Sequence, residues 1–305
     1  MLNWLIEERM REEIRKIQEL MESAGYVTDA PVATAIHLAM TLKKPLLIEG
    51  PAGVGKTEVA KVLARVLGTN LIRLQCYEGL DQSTALYEWN YQKQLLHIKL
   101  EEGTDHTLAQ KEATIFSEPF LLRRPLLQAI TQDGQPPVLL VDETDRADEE
   151  FEAFLLEVLS EFQVTIPEIG TIKAAQPPYV VLTSNRSREL SDALRRRCLY
   201  LWIDYPSFEK EVQIIQRKVP GVNERLARQV SKFMEALRQV RLSKVPGVAE
   251  TLDWAQALTA LHGDHLDETL VAETLGCLLK DADDMRRVKQ ELGSSGLGRF
   301  LPLER

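Results

Sequence analysis

Glycines at 50, 53 and 55 stand in the octet Gly50-Pro51-Ala52-Gly53-Val54-Gly55-Lys56-Thr57, which fits G-x₄-G-K-[ST]. Glycines allow a turn tight enough for backbone N–H groups to converge on an anion. Lys56 would neutralise the β- and γ-phosphates of a nucleoside triphosphate, and the Thr57 hydroxyl would sit on Mg²⁺. An apolar run precedes the octet and a helical pattern, Glu58–Leu67, follows it. That is the context the motif requires, and it disfavours a glycine-rich turn with an incidental Lys-Thr.

A second set of groups ends the apolar run Val138–Val141, where Asp142 and Glu143 stand side by side. Mg²⁺ keeps most of its water and takes few protein ligands, so one carboxylate such as Asp142 suffices to hold it through its water shell. Glu143, one residue on, could orient and deprotonate an attacking water. Alone, the pair could be a solvated strand end; the upstream loop favours chemistry. Asn185 follows Val180-Val181-Leu182-Thr183-Ser184. Its neutral amide could bond a γ-phosphate or the lytic water, or merely cap a turn. Arg195, Arg196 and Arg197 precede the run Leu199–Ile203. Arg195 suits a solvated helix end, whereas Arg196 and Arg197 are candidates for forked contacts with phosphate oxygens.

The elements that must position these groups are five short β-rich runs: Pro45–Ile48, Leu71–Cys76, Val138–Val141, Tyr179–Thr183 and Leu199–Ile203. Nearly continuous apolar character marks strands buried on both faces, and the helical stretches between them predict a parallel α/β sheet. Two helices come first, over residues 4–24 and Pro31–Thr41. Beyond Pro206 the strand signal stops, and 3.6-residue spacing recurs through 207–290, broken at Val245-Pro246-Gly247. The expected organisation is an α/β nucleotide-binding domain over 1–206 and a smaller all-helical lid domain over 207–305, with Gly293-Ser294-Ser295-Gly296 as a flexible tail. About 60 residues separate the second and third runs, too many for one crossover. An insert is expected over about 80–115, with an aromatic-rich run at Tyr87, Trp89 and Tyr91 that could be ordinary packing, and a hairpin at about 162–178.

The 305 residues carry a net charge of −9, which argues against a nucleic-acid face. A 44% hydrophobic content supports a sizeable core. No run of 18 apolar residues occurs and the first residues lack a signal-peptide h-region, so a cytoplasmic protein with no membrane span is expected. Cys76, Cys198 and Cys277 are widely spaced and odd in number, as reduced thiols would be. His262 and His265 flank a Gly-Asp turn and make a poor zinc site. No N-K-x-D stretch reads a guanine base, and a small-molecule kinase would not need Glu143, Asn185 and a helical lid together.

These elements in this order resemble the AAA+ superfamily of P-loop ATPases and, more narrowly, the MoxR family. The resemblance spans about residues 25 to 290. It rests on GPAGVGKTE at 50–58, LLVDETDRADEEFEAFLLEVLSE at 139–161, TSN at 183–185 and LSDALRRRCLYLWIDYP at 190–206. It implies Mg²⁺-dependent ATP hydrolysis in a ring, commonly a hexamer, with ATP between subunits. Glu58 completes the nucleotide-binding loop, Asp142 and Glu143 become the Walker B pair, and Asn185 becomes sensor 1. Arg197 becomes the arginine finger, with Arg196 as the fallback. The insert and hairpin resemble the helix-2 insert and pre-sensor-1 hairpin of the larger clade, which line or cap the ring pore, and by that resemblance Tyr87, Trp89 and Tyr91 would belong to such a surface rather than to the core. The family usually places a sensor 2 Arg near the start of a lid helix; here Glu250 occupies that position, so Lys244 substitutes or the contact is missing. LSKVPGVAETLDWAQAL at 242–258 resembles a branch found with carbon monoxide dehydrogenase maturation and von Willebrand A-domain proteins. The implied function is a chaperone that remodels a client enzyme for metal-cofactor insertion or assembly. The alternative is a nucleotide-switched binding module with little turnover.

Overall fold

Runs of Leu, Ile and Val that leave no polar face can bury their backbones only in the middle of a sheet. In a computed structural model, which describes residues 2–101 and 107–301, they do so. The strands are β1 (Leu46–Glu49), β2 (Leu71–Gln75), β3 (Tyr87–Trp89), β4 (Leu121–Arg123), β5 (Val138–Asp142), β6 (Gln163–Ile166), β7 (Gly170–Lys173), β8 (Tyr179–Ser184) and β9 (Leu199–Trp202). Five of them form one parallel sheet flanked by helices, in the order β2-β5-β8-β1-β9. Each central strand meets the expected run to within one residue at either end. Register aligns the carboxyl ends: Glu49 lies opposite Ser184, Val141 opposite Leu182, and Asp142 opposite Gln75.

The chain forms two compact units. One contains the segments up to Leu20, Ala30–Glu49 and Val59–Leu201; the other contains Met21–Asp29, Gly50–Glu58 and everything from Trp202 on. The core of the first is built on Leu47, Leu74, Leu139, Val141, Val180 and Leu182, joined by Leu126 and Leu155 from helices Pro125–Thr131 and Glu149–Glu161. The insert adds to this core. Antiparallel β3 and β4 bury Trp89, whose ring meets Phe116 edge-on at 5.4 Å. The three insert aromatics therefore divide: Trp89 is core, Tyr87 is half-buried, and Tyr91 is exposed. The hairpin is β6 paired antiparallel with β7.

In the second unit, helices Phe208–Lys218, Glu224–Leu237, Val248–Ala260, Glu268–Leu278 and Ala282–Ser295 enclose Phe233, Trp254, Leu275 and Val288. A bidentate ion pair is buried among them: Arg238 reaches both Glu211 oxygens at 2.7 Å, and the Thr251 hydroxyl donates to the same carboxylate at 2.8 Å. The expectation of a flexible tail at 293–296 is not met. The last helix runs through Gly293 to Ser295, and Phe300 beyond it is fully buried, stacked on Phe233 at 4.8 Å. One aromatic anchor overrides the local Gly-Ser composition.

Candidate active site

β1 ends at Glu49 and the chain turns at once through Gly50. Only glycine fits there, since a Cβ would stand 1.9 Å from the Ile203 carbonyl oxygen. The helix Lys56–Leu67 starts as the loop closes, and the positive end of a helix dipole favours anions. Lys56 is only 6% exposed, and its ammonium donates to the Gly50 and Pro51 carbonyls at 2.8 and 2.6 Å. The ammonium is thus held over the loop's own backbone. Glu58, in the first turn, pairs with Lys218 at 3.2 Å.

At the end of β5, Asp142 is buried and held on both sides: Thr183 Oγ1 donates to Oδ1 at 2.5 Å and Arg73 donates to Oδ2 at 2.6 Å. The Thr183 hydroxyl also accepts the Glu143 N–H at 3.0 Å. One hydroxyl on β8 therefore fixes two successive residues of β5. Glu143 adopts a left-handed backbone, φ 55° and ψ 49°. That conformation costs a non-glycine residue about 1–2 kcal/mol and concentrates at functional sites. The turn re-aims the side chain, which is 35% exposed and meets Arg146 Nε at 2.8 Å. Cys76, whose N–H bonds the Asp142 carbonyl, has its thiol pushed up to about 12 by burial and then by the charges of Asp142, Asp145 and Glu143.

A third carboxylate, which no sequence motif marks, joins the cluster. Asp145 is 2% exposed and binds the segment after β8: Oδ1 accepts from the Asn185 N–H at 3.2 Å, and Oδ2 from the Ser187 N–H and hydroxyl, both at 2.7 Å. Burial raises the Asp145 carboxyl, but the bonds from Ser187 and Asn185 outweigh it and hold the group below the usual carboxylate range. Arg186, between those donors, is left-handed at φ 59° and lies 3.7 Å from Glu49, which also accepts from the Tyr200 hydroxyl at 3.1 Å. The structure thus gathers Asp142, Glu143 and Asn185 around Thr183 and Asp145.

The arginine run ends the helix Asp192–Arg197, which Ser191 caps. Buried Glu152 anchors this segment by accepting the Ser191 N–H at 2.8 Å and pairing with Arg188. Arg195, Arg196 and Arg197 are all exposed, and Arg197 donates to the Leu156 carbonyl at 3.3 Å. Glu250, at the position expected for an arginine, accepts the Gly247 N–H at 2.8 Å and so caps the helix Val248–Ala260. Among the described residues no group of three or more His, Cys, Asp or Glu could hold a metal, and none of the helices is long and apolar enough to cross a membrane. Mg²⁺ needs no such group, since one hard carboxylate, a hydroxyl, waters and substrate phosphates satisfy it. Asp142 is a buried carboxylate of the kind such a set uses, and Thr57 supplies a hydroxyl at the start of its helix.

Residues 45–198, half of the chain, match the AAA domain (dynein-related subfamily), and the chain belongs to this family of P-loop ATPases. Two proteins of Staphylococcus aureus strains, named only as uncharacterized, are similar to it at 26% and 25% identity. Each alignment covers 240 residues, 77% of this chain and 82% of theirs. Among solved structures, a variant of RuvB from Thermotoga maritima shares the fold, with a TM-score of 0.50 and 20% identity over 87% of this chain and 75% of that one. The RuvB Holliday junction branch migration motor of that organism aligns at a TM-score of 0.46 and 21% identity, covering 86% of this chain and 74% of its own.

Proposed function

We propose that this chain hydrolyses Mg·ATP as a MoxR-type AAA+ remodelling ATPase. The observation that most supports this is the left-handed Glu143, locked beside Asp142 by the single Thr183 hydroxyl, in a chain of the AAA family. Residues Gly50–Glu58 hold the nucleotide, with the Lys56 ammonium on the phosphates. Thr57 and Asp142 would hold Mg²⁺, which would supply positive charge to the phosphates. Glu143 takes the proton of the attacking water, and the Asn185 amide orients that water or the γ-phosphate. Arg197, or Arg196 one residue earlier, reaches the ATP of a neighbouring subunit.

That last role requires a homo-oligomer, and a hexameric ring is the common arrangement in the AAA+ family. The run 242–258 favours the branch that works with a von Willebrand A-domain partner. The client is then an enzyme awaiting metal-cofactor insertion or assembly, with neither nucleic acid nor membrane as the target. Steady-state phosphate release tests the first step. The wild type should turn over Mg·ATP, EDTA should abolish turnover, and Lys56→Ala should lose ATP affinity as well as rate. Unchanged ATP affinity in Lys56→Ala, measured by calorimetry, would remove the loop from the site.

A further inference from the structure

Gly247 packs backbone to backbone against the loop. A Cβ on it would stand 2.6 Å from the Ala52 carbonyl oxygen and 2.8 Å from Gly53 Cα. The next two N–H groups, of Val248 and Ala249, both donate to the Gly53 carbonyl, at 2.9 and 3.2 Å. They are first-turn donors of the helix Val248–Ala260 and would otherwise be open to an anion. Here the loop takes them, so the helix start grips the loop's backbone.

The side chain that completes this contact is acidic. Glu250 Oε2, fixed by the Gly247 N–H at 2.8 Å, lies 3.1 Å from the position a Cβ on Gly53 would occupy. The buried guanidinium of this unit, Arg238, is committed to Glu211 and to the Pro246 carbonyl. Among the described residues no cation pairs with Glu250. Its field reaches Tyr205, whose hydroxyl is raised first by burial and further by Asp204 and Glu250, against the lowering effect of Arg238.

We propose that Glu250 is a specificity-determining residue for the nucleotide state: its fixed carboxylate weakens binding of the triphosphate relative to the diphosphate. The inference rests on residues 50–57 being the phosphate site. The carboxylate cannot swing away without uncapping its helix. Mg·ATP carries one more negative charge than Mg·ADP. A like charge within ~10 Å, at an effective dielectric of ~20, changes affinity on the order of tenfold. Where an arginine would favour the triphosphate, this chain leans toward the diphosphate. Its triphosphate-bound state is then the less tightly held one.

The test is calorimetry of wild type and Glu250→Gln with Mg·ADP and Mg·ATPγS, at low (~0.05 M) and high (~0.5 M) KCl. Glutamine keeps the cap but not the charge. The ratio of triphosphate to diphosphate Kd should fall about tenfold in Glu250→Gln at low salt. Raising the salt should shrink the difference in this ratio between wild type and Glu250→Gln. Gly247→Ala, which must displace the loop, should weaken both nucleotides and leave the ratio near its wild-type value. An unchanged ratio in Glu250→Gln, with both nucleotides still bound, overturns the inference alone. A wild type that binds neither nucleotide overturns the phosphate-loop reading as well. A ratio in Gly247→Ala that falls as far as in Glu250→Gln makes packing, not charge, the cause and also overturns it.

Discussion

Asp145 takes both the N–H and the hydroxyl of Ser187 at 2.7 Å, tying the turn after β5 to the turn after β8. Asn185 and Glu143 stand on those two turns, so Asp145 fixes one turn against the other.

Replacing Asp145 with Asn keeps the shape but sets an amide N–H₂ against one or more N–H or O–H donors. The cost should be about 1–3 kcal/mol, the usual penalty for unsatisfied buried groups, read from urea unfolding. The pH dependence has a definite sign. The carboxyl is held below its ordinary value in the fold, so its contribution is complete above the unfolded pKa, about 3.9, and is lost as pH falls through the folded one. The wild-type advantage over Asp145→Asn should therefore be flat above about pH 5 and shrink below about pH 4. A constant difference down to pH 3 would rule out the charged carboxylate as the origin.

Phe300→Ala should destabilise the helical unit by about 3–5 kcal/mol, as for a large buried aromatic. Thermal unfolding reads it directly. A melting temperature within a degree or two of wild type would mean that the segment after Ser295 is not anchored.

The five central strands, the glycine-containing turn after β1, the hairpin and the run of helices beyond Pro206 were legible because each is local: an apolar run, a glycine spacing or a helical period. What binds the site together is not local. Thr183 meets Asp142 across 41 residues, Ser187 meets Asp145 across 42, and Arg73 meets Asp142 across 69. A carboxylate such as Asp145 looks in sequence like any solvated acid after a strand; its role comes from the parallel register that brings β5 and β8 together. The segment 293–296 departs from its local reading for the converse reason. Gly and Ser suggest a linker locally, while Phe300 supplies a tertiary anchor that composition does not reveal.

If Arg197 acts on a neighbour's ATP, Arg197→Ala and Glu143→Gln should each be nearly inactive, since a finger can supply ~10³–10⁵ in rate. Mixed and allowed to exchange subunits, they should recover part of the activity. Some interfaces would then pair an intact Glu143 with an intact Arg197 from next door. No recovery despite proven exchange would refute the trans role. An active Arg197→Ala beside a dead Arg196→Ala would move the finger one residue back.

The most direct test is Glu143→Gln, which keeps the shape and the left-handed turn but cannot accept the proton. It should bind Mg·ATP with wild-type affinity in calorimetry and hydrolyse it ~10²–10⁴ times more slowly, the usual contribution of a general base. Turnover near the wild-type rate with ATP binding intact would contradict the account and reduce Glu143 to a solvated strand end.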